Sequence, residues 1–115
     1  MERRGLEVID VDELPVREIQ GGAKVRRISR GEAGAGGLSV SVVHFPSGVV
    51  RPWSSHEGDQ YVWVLEGRGV IITDDEEIEV EPGTAVYIPA GLKHRHGPSR
   101  GHQFTQLSII GGTNA

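Results

Sequence analysis

Turn signals recur at short intervals through most of this chain, and they leave no room for long helices. Pro46-Ser47-Gly48, Glu66-Gly67-Arg68-Gly69, Thr73-Asp74-Asp75, Glu81-Pro82-Gly83 and Pro89-Ala90-Gly91 are such punctuation. Proline presets a negative φ and glycine supplies a positive one, so each cluster reverses the chain at small cost. Between them lie short runs rich in β-branched residues, predicted as strands at Lys24 to Ser29, Leu38 to Phe45, Gln60 to Leu65, Gly69 to Thr73, Glu76 to Val80, Ala85 to Ile88 and Gln103 to Ile110. Short stretches around Arg51 to His56 and His94 to His96 complete the set. No window repeats apolar residues at helical spacing for more than about one turn. Eight or more short strands with almost no helix imply an all-β sandwich or barrel.

A chain of 115 residues makes one domain. Residues 24–115 carry the barrel. Residues 1–23 form an N-terminal arm whose Val8, Ile9, Val11, Leu14 and Ile19 suit an added edge strand or one exchanged between two copies. The glycine-rich Arg30 to Gly37 segment reads as a plain hairpin connection. The aromatic residues Trp53, Tyr61, Trp63, Tyr87, Phe45 and Phe104 are expected mostly in the core.

Charge and cysteine content narrow the chemistry. With 12 Lys+Arg against 16 Asp+Glu the net charge is -4, and the basic residues are scattered, which argues against a nucleic-acid partner. The absence of cysteine rules out disulfides, thiolate metal ligands and cysteine nucleophiles, so a metal here needs nitrogen and oxygen donors. No apolar run approaches the roughly 20 residues that span a bilayer, and the charged opening Met1 to Glu7 is not a secretory signal. A soluble, cytoplasmic protein is the expectation. The acidic run Thr73 to Glu77 lacks the spaced ligands of a calcium loop and reads as a solvated hairpin tip.

Two segments concentrate side chains with ligand capacity. Ser54, His56 and Gln60 precede the apolar run Tyr61 to Leu65; His94 and His96 follow the tight turn at Pro89-Ala90-Gly91. Residues two apart on a strand share a face. If the two segments pair inside a barrel, His56, Gln60 and His94 converge. Imidazole nitrogen with carboxamide oxygen suits Mn, Fe(II), Ni or Zn, and the lack of thiolate disfavours Cu(I).

The spacings resemble those of the cupin superfamily. Gly48, five residues, Ser54-x-His56, Gln60 and Gly67 follow its first motif; Gly83, five residues, Pro89-x-Gly91, two residues and His94 follow its second. Together they cover about half the chain. Ser54 stands where the family has its first histidine, Gln60 where it has glutamate, and Pro98 where it usually has asparagine. The pattern His-x-x-x-Gln with a later Lys-His-x-His-Gly is similar to small single-domain cupins related to the carboxymuconolactone-decarboxylase-associated group. Some of those bind manganese through His, His, Gln and His and act as hydroxynitrile lyases. Such relatives often carry histidine at the position of Gln106.

The resemblance implies a double-stranded β-helix, or jelly roll, that pairs as a homodimer and takes a small-molecule ligand or substrate. It implies a divalent metal on His56, Gln60 and His94. Three protein ligands leave coordination positions open, the arrangement of catalytic rather than structural metal sites. His96 is then the candidate catalytic acid or base, taken with the ordinary imidazole pKa near 6.5. Ser54, Trp53 and Gln106 are candidates for the pocket or for a second layer around the metal. The function expected is a metal-dependent enzyme, either a lyase or a dioxygenase-like oxygenase; the alternative is a binding module without turnover.

Overall fold

The computed structural model describes residues 5–29 and 37–112. Its strands are β1 (Arg17–Glu18), β2 (Lys24–Arg27), β3 (Leu38–Phe45), β4 (Gln60–Gly67), β5 (Gly69–Ile72), β6 (Glu77–Val80), β7 (Ala85–Ile88), β8 (Arg95–Pro98) and β9 (Phe104–Gly111), with one 3-10 turn at Val11–Glu13. The seven long strand expectations are met to within a few residues. Residues 51–56 differ: only Ser54 bridges, to His94, because the chain there runs along the barrel mouth instead of joining a sheet. The hairpin expected at Arg30 to Gly37 lies, apart from Gly37, outside the described residues. No helix among the described residues is long and apolar enough to cross a membrane.

The strands form two antiparallel sheets, one in the order β1-β2-β3-β9-β4-β7 and one in the order β6-β5-β8. Together they form a single-domain jelly roll. In the large sheet β9 lies between β3 and β4, with Val43 opposite Gln106 and Val62 opposite Ser108. Sequence alternation sets the inward row of each strand. On β4, Gln60, Val62 and Val64 are buried while Tyr61, Trp63 and Leu65 are exposed.

That alternation corrects the expected placement of the aromatics. Phe45 and Phe104 are core, but Trp53, Tyr61, Trp63 and Tyr87 are all about 40–55% exposed, because each falls on the outward row or on the mouth segment. The two phenylalanines stack at 5.4 Å, and Phe45 also stacks at 6.3 Å on His96 of the opposite sheet, which locks the layers together.

Two glycines are demanded by this packing. Gly69 lies under the Phe104 ring, where any Cβ would collide with it. Gly67 has φ +79°, and a Cβ there would overlap the backbone carbonyl of Gln103. Gly83 has a similar φ of +86° but open space around it. Gly83→Ala should therefore cost about 1–2 kcal/mol from the left-handed backbone alone, whereas Gly67→Ala should cost clearly more in urea denaturation. Equal losses would contradict the close approach.

Candidate metal and ligand site

The site is built where the two motif segments are stitched together by backbone. Ser54 and His94 exchange both N–H···O=C bonds at 2.9 Å, and the Gly91 N–H donates to the His56 carbonyl at 2.8 Å. The Asp59 carboxylate accepts from the Ala90 N–H at 2.9 Å and from the Tyr87 hydroxyl at 3.2 Å. The turn at Pro89 to Gly91 is thus held against residues 54–59, whatever the side chains at the centre do.

Those side chains converge. The His94 ring lies 5.4 Å from that of His56 and 4.9 Å from that of His96, centroid to centroid. His56, Gln60, His96, Ser54 and Gln106 all line one cavity of about 160 Å³ between the sheets. His94 is fully buried behind them and borders a smaller cavity of about 60 Å³ on its other side. Trp53 lies outside the cavity; its ring sits under Lys93 and Arg95 at 4.9 and 4.8 Å. His44, by contrast, borders a different cavity and lies 2.8 Å from the Thr105 hydroxyl.

Hydrogen bonding fixes what each group offers. His94 Nδ1 is 2.8 Å from the Leu92 carbonyl oxygen, which can only accept, so Nδ1 carries the proton and Nε2 a lone pair. Gln60 donates from Nε2 to the Ser108 hydroxyl at 2.9 Å, which leaves its carbonyl oxygen free. Four buried polar atoms here lack a well-formed hydrogen bond: Gln60 Oε1, His94 Nε2, His96 Nδ1 and Gln106 Oε1, the His96 and Gln106 side chains interacting with each other. Each such orphan costs about 1–3 kcal/mol, so this concentration calls for a ligand. Among the described residues no group of three His, Asp or Glu side chains is arranged to hold a metal ion, so a cation here must use a carboxamide oxygen. Neutral imidazole with carboxamide suits a divalent transition metal. The His94–Leu92 bond is the orienting contact that metal-bound histidines commonly have.

The pKa values correct one expectation. Burial, then the neighbouring His94, His56 and Arg51 charges, push His96 down to about 3, opposed only by the Gln106 side chain. His56 is also lowered, by burial and then by His94. His96 is therefore not an imidazole of ordinary pKa but one held neutral throughout the physiological range.

Several wall residues escaped the sequence reading. Ser108 was accessible to it, two residues from Gln106 on one strand. Arg51 was not, since alternation would turn it away from Ser54 and His56; it reaches the cavity because residues 50–53 are not a strand.

Residues 41–105 match the family model of the cupin domain, and the chain belongs to that family. It is 31% identical over 58 residues to an uncharacterised protein of Streptomyces coelicolor, a match covering 50% of this chain; the chain spans about half the length of that curated relative, 55%. A cupin-like protein of Thermotoga maritima superposes with a TM-score of 0.73 at 26% identity, over 80% of this chain and 70% of the other. The polyketide cyclase RemF of Streptomyces resistomycificus superposes with a TM-score of 0.80 at 20% identity, over 92% and 79%, which shows a shared fold.

The lowered His96 pKa has a signed consequence. A native pKa below the unfolded value stabilises the fold above about pH 6.5, and that stability is lost as pH falls toward 3. In the metal-free protein, His96→Gln should reduce the loss of unfolding free energy between pH 7 and pH 5 by about 2 kcal/mol relative to wild type. Parallel pH dependences in guanidinium titrations would contradict the buried neutral imidazole.

Proposed function

We propose that this cupin binds one divalent transition metal, Mn, Fe, Ni or Zn, through His56, Gln60 and His94, and acts on a small organic molecule beside it. The observation that carries this reading is the pair of unpartnered acceptors, His94 Nε2 and Gln60 Oε1, each left free because the rest of its side chain is already engaged. When bound, such a metal supplies Lewis-acid polarisation of a substrate oxygen. Gln60 is positioned by Ser108, and His94 by Leu92. His96 Nδ1 and the Gln106 carboxamide offer hydrogen bonds to the substrate, and Val43, Phe45 and Ile110 supply apolar wall. Lyase chemistry on a cyanohydrin-like oxygen, or oxygen-dependent chemistry on an enol or phenol, fits this environment.

A second reading is favoured by one observation. Among the described residues no carboxylate lines the cavity, and both of its histidines are lowered from the ordinary imidazole value, His96 to about 3. With no carboxylate on that lining and His96 neutral at pH 7, the site also suits ligand binding without turnover. A panel of cyanohydrins and phenols assayed with the metal-loaded protein separates the two: turnover abolished by chelation supports the enzyme, and saturable binding without turnover supports the module.

Metal analysis by mass spectrometry tests the ligand set. Purified protein should carry about one equivalent of metal, and His94→Ala and Gln60→Ala should each lower affinity by tenfold or more. Full retention in both variants, or traces in wild type, would refute it.

The outward row of the large sheet supports a homodimer. Tyr61, Trp63 and Tyr87 are each about half exposed on adjacent β4 and β7, with Leu65 beside them. These four side chains present on the order of 400 Å² of apolar surface, toward the upper end for a monomer. A two-fold pairing covers the same patch on both copies at once. Trp63→Glu should convert a dimer to a monomer in sedimentation velocity; a wild-type monomer at micromolar concentration would exclude this contact.

A further inference from the structure

Arg51 is the single charged side chain on the cavity wall among the described residues, and no acidic group faces it there. Its guanidinium is held from outside the barrel: Nη1 donates to the carbonyl oxygen of Gln20. That carbonyl belongs to a turn closed by the Gly22 N–H donating to the Ile19 carbonyl and the Ile19 N–H donating to the Ala23 carbonyl, both at 2.9 Å. The turn packs directly on the backbone of residues 50–51, and only glycine fits at position 21, where φ is +92° and a Cβ would press on the Val50 carbonyl. Ile19, from the same turn, completes the cavity wall.

The arm therefore orders a cation on the wall of a cavity whose other lining residues are the polar Ser54, His56, Gln60, His96, Gln106 and Ser108 and apolar side chains. One of the five guanidinium N–H groups is used by Gln20, and the planar fork suits two-pronged recognition of a carboxylate.

We propose that Arg51 is the specificity-determining residue of this cavity and selects a small organic monocarboxylate, whose apolar body lies against Val43, Phe45 and Ile110. This names the substrate class for the site proposed above and rests on that cavity being a ligand site, but not on the metal. Neither a dianion, which would leave one charge unpaired, nor a cation, which Arg51 repels, fits as well.

The test compares isosteric pairs, isobutyrate with isobutyramide and benzoate with benzamide, by calorimetric titration into the full-length protein, both metal-loaded and chelator-treated. In the chelator-treated wild type the carboxylate should bind about tenfold more tightly than its amide. Arg51→Gln should bring the two within about twofold, and Arg51→Lys should fall between. Should Arg51→Gln unfold, the wild-type and Arg51→Lys comparisons decide alone. Equal binding of acid and amide by wild type, no saturable carboxylate binding at millimolar concentration, or a preference surviving in Arg51→Gln would each overturn the assignment. An Arg51-dependent preference kept by the metal-free wild type would support this assignment whether or not metal analysis finds a metal on His56, Gln60 and His94. A preference seen only with metal loaded would overturn this assignment and leave the metal reading standing.

Discussion

The reciprocal backbone bonds between Ser54 and His94 tie the two halves of the site to each other before any side chain contributes. Backbone bonds do not depend on which residues occupy those positions, so the geometry tolerates Ser54 in place of an imidazole. The Asp59 clasp and the Gly91 bond to the His56 carbonyl extend the same seam. What hangs from it is a set of neutral polar groups in a core otherwise closed by Phe45, Phe104 and Val64.

Such a core is costly unless something satisfies it. Buried polar atoms are normally paired, yet Gln60, His94, His96 and Gln106 each keep one atom unpartnered. The engaged half of Gln60 and of His94 prevents either from turning to satisfy itself. The fold thus holds these acceptors open, which is the feature that the proposed site rests on. The depressed His96 pKa follows from desolvation of its ring, and a protonated imidazole would find no counter-charge on the described cavity lining.

The N-terminal segment has a part in this beyond adding an edge strand to β2. Its turn at Ile19 to Ala23 supplies an apolar wall residue, and its Gln20 carbonyl holds the only cation of the cavity lining described. Barrel and arm therefore define the pocket jointly.

Spacing alone marked much of this. The offsets among Gly48, Gly67, Gly83, Pro89 and Gly91 announced the family, period-two alternation paired Ser54 with His56 and His94 with His96, and the family resemblance marked Gln60 and Gln106. Alternation tells which residues share a face but not which face is buried, so Tyr61, Trp63 and Tyr87 were expected in the core and stand outside it. Nor does any local rule reach Arg51, whose place depends on an irregular mouth segment meeting a turn some thirty residues earlier in the chain. Strand and turn chemistry are short-range and legible in the chain itself; burial, the lowered imidazole pKa and the arm's hold on Arg51 arise only when distant segments exclude water together.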